Sequence, residues 1–305
     1  MSSIIHRRTF LHRSLLASGG LILGDRFTRL NRETPLLRFG LVTDSHYADR
    51  PEAGTRYYRE SLDKMQECIE EFNRHDLDFI IHLGDFKDQN NEPDAAETLQ
   101  FLQSLEQVYS AFPGPRYHCV GNHDVDSITK QQFLQGVINT GITHERSYYQ
   151  FMAGGISCIV LDANYYADGR DQFYAEGANW QDIRIPEVEV QWLQDTLRTH
   201  KAPTLVFCHH PLFAYTHGEV IYHVQNYLEV QRVLEQSGQV LAVFQGHTHE
   251  ERYEETGGIQ YMTLLAMVDH SGPENNAYAI AGVYPDRIEL TGFRRITDKT
   301  MMVGH

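Results

Sequence analysis

Basic residues are scarce in this 305-residue chain: 26 Lys and Arg stand against 41 Asp and Glu, a formal charge of −15. A balance of that sign argues against the basic footprint of a nucleic-acid groove and against electrostatic docking on anionic membranes. Long apolar runs are also missing, since no stretch approaches the ~20 apolar residues that a membrane span needs. Cysteine is sparse as well. Cys68, Cys119, Cys158 and Cys208 show no CxxC spacing and each lies inside an apolar run, so buried free thiols are their simplest reading. No linker, repeat or low-complexity stretch appears after residue 35. What the chain does have is a hydrophobic fraction of 41%, enough for a sizeable core, together with 17 His and 17 Tyr.

The N-terminus runs against the rest. Residues 1–34 carry six Arg (Arg7, Arg8, Arg13, Arg26, Arg29 and Arg32) and two acids, Asp25 and Glu33, which leaves 20 basic against 39 acidic residues, or −19, in residues 35–305. The run Arg7-Arg8-Thr9-Phe10-Leu11 resembles the twin-arginine export signature, and an uncharged, weakly apolar run from Ser14 to Gly24 follows it. We therefore expect residues 1–34 to be an export segment and residues 35–305 to be one domain, delivered to the periplasm. The plainer alternative is a basic N-terminus on a cytoplasmic protein. Twin-arginine export carries proteins already folded in the reducing cytoplasm, so free thiols are compatible with it.

From Leu37 onward, short β-rich runs alternate with helical patterns. The runs are Leu37–Thr43, Asp78–Leu83, Arg116–Val120, Ser157–Leu161, Thr204–Cys208 and Leu241–Gln245; helical spacing marks Tyr57–Arg74, Ala95–Tyr109, Glu187–Thr199 and Val224–Gln236. Alternation of this kind indicates α/β with crossover helices. Two hairpins are expected besides, across Gly154-Gly155 and across Pro285-Asp286. The acidic run from Glu250 to Glu255 reads as a further, solvated hairpin, and residues 162–186 as a polar insertion.

Function is written at the ends of the runs. Five of them close on residues with metal-ligand or acid–base chemistry: Asp44-Ser45-His46, Gly84-Asp85, Gly121-Asn122-His123-Asp124, His209-His210-Pro211 and Gly246-His247-Thr248-His249. Ligands of open α/β sheets bind outside the carboxyl ends of strands, so these residues are expected to converge. Residues i and i+2 of an extended chain point the same way, so Asp44 with His46, and His247 with His249, each give one strand end two donors. Oxygen and imidazole donors without sulfur suit Mn, Fe or Zn. One bridging Asp lets seven donors build two sites, with the ~3.5–4 Å separation of a two-metal hydrolase.

The ordered set D-x-H, G-D, G-N-H-D, H and G-H-x-H over residues 44–249 resembles the calcineurin-like metallophosphoesterase superfamily. The resemblance implies a four-layer αββα sandwich of two mixed β-sheets flanked by helices. It implies that Asp44, His46 and His249 serve one divalent metal, that Asn122, His209 and His247 serve the other, and that Asp85 bridges. His123 would stand beside the metals as the general acid, with Asp124 orienting it or raising its proton affinity. The expected reaction is hydrolysis of a phosphoester or phosphoanhydride bond by in-line attack of a metal-bound hydroxide. The stretches Phe39–Asp49, Arg56–Leu62, Gln191–Leu193 and Glu274–Tyr278 further resemble the manganese-dependent ADP-ribose/CDP-alcohol diphosphatases of that superfamily, which implies a small nucleotide-diphosphate derivative as substrate. Alternatives are a phosphomonoesterase or cyclic phosphodiesterase with the same core, and a metal-binding scaffold without catalysis. The acidic body does not oppose a phosphate substrate, because cations dominate the field at such a site.

Several neighbours take plainer readings. Of the pair at 209 and 210, the superfamily pattern favours His209 as the ligand, which leaves His210 to support it. Strand alternation turns Cys208 into the core, and His82 and His118 read as satisfied core histidines. Tyr47, Tyr57, Tyr165, Tyr166, Tyr174, Trp180, Tyr215 and Tyr222, with His217 and His223, are candidates to line the pocket and stack on a nucleobase, with ordinary packing as the competing account of each.

Overall fold

A computed structural model describes residues 34–304, so the export segment expected at residues 1–34 lies outside the described residues except for Thr34. The chain runs β1 (Leu37–Val42), α1 (Ser61–Phe72), β2 (Phe79–His82), α2 (Ala95–Tyr109), β3 (Arg116–His118), α3 (Lys130–Gly136), β4 (Tyr149–Ala153) and β5 (Ile156–Leu161). It continues with α4 (Glu187–Thr199), β6 (Thr204–Cys208), β7 (Thr216–His217), β8 (Val220–Ile221), α5 (Tyr227–Ser237) and β9 (Val240–Gln245). Strands β10 (Arg252–Thr256), β11 (Ile259–Thr263), β12 (Ala277–Val283), β13 (Arg287–Arg294) and β14 (Lys299–Met302) complete it.

Two six-stranded sheets result, in the orders β14-β13-β12-β1-β2-β3 and β10-β11-β9-β6-β5-β4, beside a small β7-β8 ribbon. Both are mixed. In the first, β1, β2 and β3 are mutually parallel and β12 joins β1 antiparallel. In the second, β11, β9, β6 and β5 are parallel, with β10 and β4 antiparallel at the edges.

Side-chain alternation explains the layering. Phe39 and Leu41 of β1, with Phe79 and Ile81 of β2, face Leu205 and Phe207 of β6 and Phe244 of β9 in a core between the sheets. There Phe39 stacks on Phe79 at 4.9 Å and meets Phe207 and Phe244 edge-on at 5.7 and 5.6 Å. The intervening Val42 and Ile80 face outward, under Ile69 and Phe72 of α1, Leu105 of α2 and Phe133 of α3. On the other side Val206 and Cys208 pack beneath Leu193 of α4 and Val230 of α5. The result is the four-layer αββα sandwich. All four cysteines are buried and free, and Cys208 points into the helix-side core as strand alternation requires.

Both expected hairpins form, β4–β5 and β12–β13, and the acidic run becomes edge strand β10, paired with β11. Three corrections concern length and omission. Strand β3 stops at His118 rather than Val120, although the Cys119 N–H still donates to His82 O at 2.8 Å. Helix α5 begins at Tyr227 rather than Val224, whose N–H is committed to Pro211 O at 3.0 Å. Helix α3 was not expected, yet the Thr129–Gln132 capping box at its start is a sequence-visible signal.

Candidate active site

The carboxyl ends of β1, β2 and β3 in one sheet and of β6 and β9 in the other meet at the same end of the sandwich. Backbone bonds stitch the loops together: Asp44 N–H donates to Gly84 O (3.0 Å), His46 N–H to Asp85 O (2.9 Å) and Gly246 N–H to His209 O (3.0 Å). The His247 N–H donates to Asp44 Oδ2 at 3.0 Å, which ties the two sheets to each other through a side chain of the site. A Cβ on Gly121 would strike Asp85, and one on Gly246 would strike Thr43 and Asp44, so close approach restricts both positions to glycine.

Backbone strain concentrates here. Asp44, His46, Asp85, His247 and His249 have φ of 53°, 46°, 54°, 73° and 59°, in the left-handed region; the other described non-glycine residues with positive φ are His270 and Arg294. Such a conformation costs of order 1–3 kcal/mol per residue, although Asp and His bear it better than most. Five in one cluster means that the fold holds these side chains where relaxed strands would not put them.

The side chains converge in the manner of a metal centre. His46 Nε2 lies 3.6 Å from Asp44 Oδ1 and 3.2 Å from His249 Nε2, and His249 Nε2 lies 3.5 Å from Asp44 Oδ1. Asp85 Oδ2 stands between two groups of donors, 3.5 Å from His46 Nε2 and 3.1 Å from His209 Nε2. Several buried polar atoms have no hydrogen-bond partner: Asp44 Oδ1, Asn122 Oδ1, His209 Nε2 and both ring nitrogens of His247. Orphans of this kind cost about 1–3 kcal/mol each unless something satisfies them, and divalent cations fit this donor set. The far ring nitrogens are meanwhile held: His46 Nδ1 by Asp88 Oδ2 (3.2 Å), His249 Nδ1 by Asp269 Oδ2 (3.0 Å) and His209 Nδ1 by Leu83 O (2.9 Å). A hydrogen bond at Nδ1 sets the tautomer that presents a lone pair at Nε2.

Charge follows geometry. Burial pushes Asp44 and Asp85 up, but the surrounding imidazoles outweigh it and hold both carboxyls below the usual range. Burial likewise pulls His46 and His209 down, yet the carboxylates carry each up to about 9. Without a cation the cluster balances its carboxylates with protons, and a bound cation displaces them. Loading both sites at a hundredfold excess over Kd should therefore add about 2.7 kcal/mol per site, or about 5 °C or more in Tm. Thermal scans of chelator-treated protein with and without Mn²⁺ or Zn²⁺ measure this, and an unchanged Tm would contradict it.

Asp124 does not do what its position beside His123 suggests. Its carboxylate accepts the backbone N–H groups of Asp85 (2.9 Å), Phe86 (2.9 Å), Lys87 (3.3 Å) and Gly121 (2.8 Å), so it anchors the loop carrying Asp85. The residue at His123 is instead Asp88, whose Oδ2 lies 3.2 Å from His123 Nδ1 and also holds His46. Its signal was a second Asp three positions after Asp85. Lys87, buried beside it, pairs with Asp126 and donates to His123 O at 2.6 Å. Asp269, the partner of His249, sits on a segment whose backbone O atoms at Met267, Asp269 and His270 accept from buried Lys64 Nζ at 2.9, 3.0 and 2.5 Å.

Beside the cluster opens a cavity of about 440 Å³ whose wall includes Asp85, Asn122, His123 and His247. Arg50 and Arg56 also line it, as do Tyr174, Trp180 and Tyr222. The other proposed aromatic lining is placed elsewhere: Tyr47 packs on Phe101, Tyr165 lies under Lys130, Tyr166 lies beneath Arg170, and the Tyr215 hydroxyl is bonded to Glu250. Tyr57, His217 and His223 are also absent from its wall. Of the two core histidines, His82 is satisfied as expected, whereas His118 is buried with its Nε2 lacking a hydrogen bond. His82 Nε2 pairs with Ser45 Oγ at 2.9 Å, and His118 Nε2 lies 3.0 Å from the Glu106 carboxylate without a hydrogen bond between them.

Comparison with known proteins agrees with this geometry. The family model of the calcineurin-like phosphoesterases matches residues 37–251. The chain belongs to that family. Curated relatives include manganese-dependent ADP-ribose/CDP-alcohol diphosphatases of Oryza sativa (26% identical, covering 88% of this chain and 94% of the relative), Danio rerio (26%, 88% and 99%) and Homo sapiens (24%, 87% and 92%). Among solved structures, a dimetal phosphatase from Danio rerio shares the fold with a TM-score of 0.74 at 23% identity, covering 88% of this chain and all of that one. A purple acid phosphatase from yellow lupin does so at 0.58 and 14% identity, covering 87% of this chain and 53% of that one. This calcineurin-like phosphoesterase is thus a metal-dependent hydrolase with a dinuclear centre, and no described helix is long and apolar enough to cross a membrane.

Proposed function

We propose that the enzyme hydrolyses the phosphoanhydride bond of a small nucleotide-diphosphate derivative, with His123 protonating the leaving oxygen. The observation that carries this reading is the cavity, in which two arginines and three aromatic side chains share a wall with Asp85, Asn122 and His247. Asp44, His46 and His249 would hold one cation and Asn122, His209 and His247 the other, with Asp85 between them. When bound, two divalent cations neutralise phosphoryl oxygens and make a water-derived nucleophile available at neutral pH. The relatives are manganese-dependent, and the N/O donor set here accepts that metal.

The protein's own groups divide the remaining work. Arg50 and Arg56 stand beside the site, each 3.9 Å from Asp88, and partly open to solvent. A guanidinium pair so placed suits a second phosphate, which a monoester lacks. Asp88 is itself held well below the usual carboxylate range: burial pushes it up, but His123 and His46 outweigh burial. It is thus an anion facing His123 Nδ1 at 3.2 Å, where it orients the ring that would give up a proton at Nε2. Trp180 and Tyr222, with ring centroids 5.4 Å apart, offer flat faces to a base.

A panel of aryl phosphate, aryl phosphodiester, ADP-ribose and CDP-choline, assayed with Mn²⁺, Fe²⁺ and Zn²⁺, tests the reading. The nucleotide diphosphates should show the highest kcat/KM. A preference for the aryl monoester would favour a phosphomonoesterase, and no turnover on any of the four would favour a scaffold. Trp180→Ala should raise KM for nucleotide substrates by about 5- to 150-fold, the equivalent of ~1–3 kcal/mol of base stacking, with kcat little changed. Steady-state kinetics measure the split, and an unchanged KM would reduce Trp180 to packing.

A further inference from the structure

His210 takes no part in the chemistry described so far, yet its surroundings are unusual for a core histidine. Its side chain is completely buried, and neither ring nitrogen has a hydrogen-bond partner. His82, equally buried, has partners at both nitrogens, Ser45 Oγ at Nε2 and the Gly84 N–H at Nδ1. A buried polar group left unsatisfied costs about 1–3 kcal/mol, and His210 carries two. The neighbouring loop holds it in place: Leu212 N–H donates to Gln245 Oε1 at 2.6 Å, and Val224 N–H to Pro211 O at 3.0 Å.

Other imidazoles surround it. The ring of His210 lies 4.4 Å from that of His247 and 4.8 Å from that of His209. One nitrogen from each of the three rings lies within 4.8 Å of the others. His247 is in the same condition as His210, buried with both nitrogens unpartnered. Neutral imidazoles packed face to edge for apolar reasons alone would still need acceptors and donors for these nitrogens, and no described side chain supplies them. A cation would take one nitrogen from each of the three rings at once.

We infer that His210 is a third imidazole donor to the cation held by His209 and His247. The inference rests on the dinuclear assignment above and extends it, because it makes the two sites chemically unequal. The site of Asp44, His46 and His249 keeps a carboxylate of its own, whereas the site of Asn122, His209, His210 and His247 is rich in nitrogen. Nitrogen-rich sites favour zinc or ferrous iron, and carboxylate oxygen favours manganese.

Two measurements test it. Zinc titration of chelator-treated protein against a chromophoric chelator should show two sites in the wild type. In His210→Gln and His210→Phe, one of the two should weaken by at least about tenfold while the other keeps its affinity. Wild-type affinity at both sites in folded variants would overturn the inference. The second measurement does not depend on any variant folding: in a crystal structure of the zinc-loaded wild type, a His210 nitrogen is expected about 2.0–2.1 Å from the metal. Two zinc ions in place with His210 outside their coordination would overturn the inference and leave the dinuclear assignment standing. A wild type that binds no zinc in either experiment would overturn both.

Discussion

An Asp85→Ala variant is expected to lose turnover by roughly 10³–10⁵-fold, the scale that one transition-state arginine supplies to phosphoryl transfer. Asp85 Oδ2 stands 3.1 Å from His209 Nε2 and 3.5 Å from His46 Nε2, so a single carboxylate oxygen faces the donors of both sites. Its Oδ1 accepts the His123 N–H at 2.7 Å, which ties the loop of the proposed acid to the same residue. Alanine removes all of this while the backbone O that accepts from His46 N–H remains. The loss should therefore be one of metal rather than of fold, with fewer than two ions per chain by elemental analysis and a near-normal circular dichroism spectrum. Two ions per chain in the variant would contradict the bridging role. Asp124→Ala should behave in the opposite manner. It strands four backbone N–H groups that now share one buried carboxylate, so its main effect is a fall in Tm.

The difference between Asp85 and Asp124 also shows where the sequence was legible and where it was not. Strand ends were legible because apolar runs fix strands by composition, and the convergence of the His and Asp residues that follow them was legible from residue type; the i and i+2 argument, which assumes an extended chain, does not hold, because Asp44, His46, His247 and His249 all have positive φ. Asp124 is placed away from His123 because adjacency in sequence is not adjacency in space: its carboxylate accepts four backbone N–H groups instead. Residues 123–125 form a 3₁₀ turn, in which successive side chains point about a third of a turn apart. That turn leaves the His123 side chain 28% exposed toward the cavity and buries Asp124 under the Asp85 loop. Asp88, Asp269, Arg50 and Arg56 escaped notice for a different reason. They lie on loops whose path is set by contacts remote in sequence, such as the pairing of Arg56 with Asp269 and the hold of Lys64 on the 267–270 segment. The aromatic candidates failed in the same way: Tyr165 and Tyr174 belong to one insertion, but Lys130 captures the first, while the second reaches the cavity wall. The left-handed backbone of the donors had no signal in any spacing, since it follows from both sheets ending at one place.

His123→Ala is expected to keep both ions and to lose about 10²–10⁴-fold in turnover on substrates with poor leaving groups, the usual contribution of a positioned general acid. The geometry gives the reason for that selectivity. His123 shares Asp88 with His46 and is not itself among the orphaned donors, so its ring is oriented beside the centre without completing it. Proton delivery to the departing oxygen matters in proportion to that oxygen's basicity, so an aryl ester with a good leaving group should lose far less than ADP-ribose or an alkyl phosphodiester. Asp88→Asn sharpens the test. The variant retains a hydrogen-bond acceptor for one ring but loses the charged partner that orients both His123 and His46, so a smaller loss with the same leaving-group dependence is expected, together with about 10- to 100-fold weaker metal binding through His46. A uniform loss across leaving groups in His123→Ala would assign the ring to substrate positioning, and unchanged turnover on the poor leaving groups would remove it from the reaction. Because elemental analysis of the same preparations reports the ions directly, neither outcome can be mistaken for the loss of metal expected in the Asp85 variant.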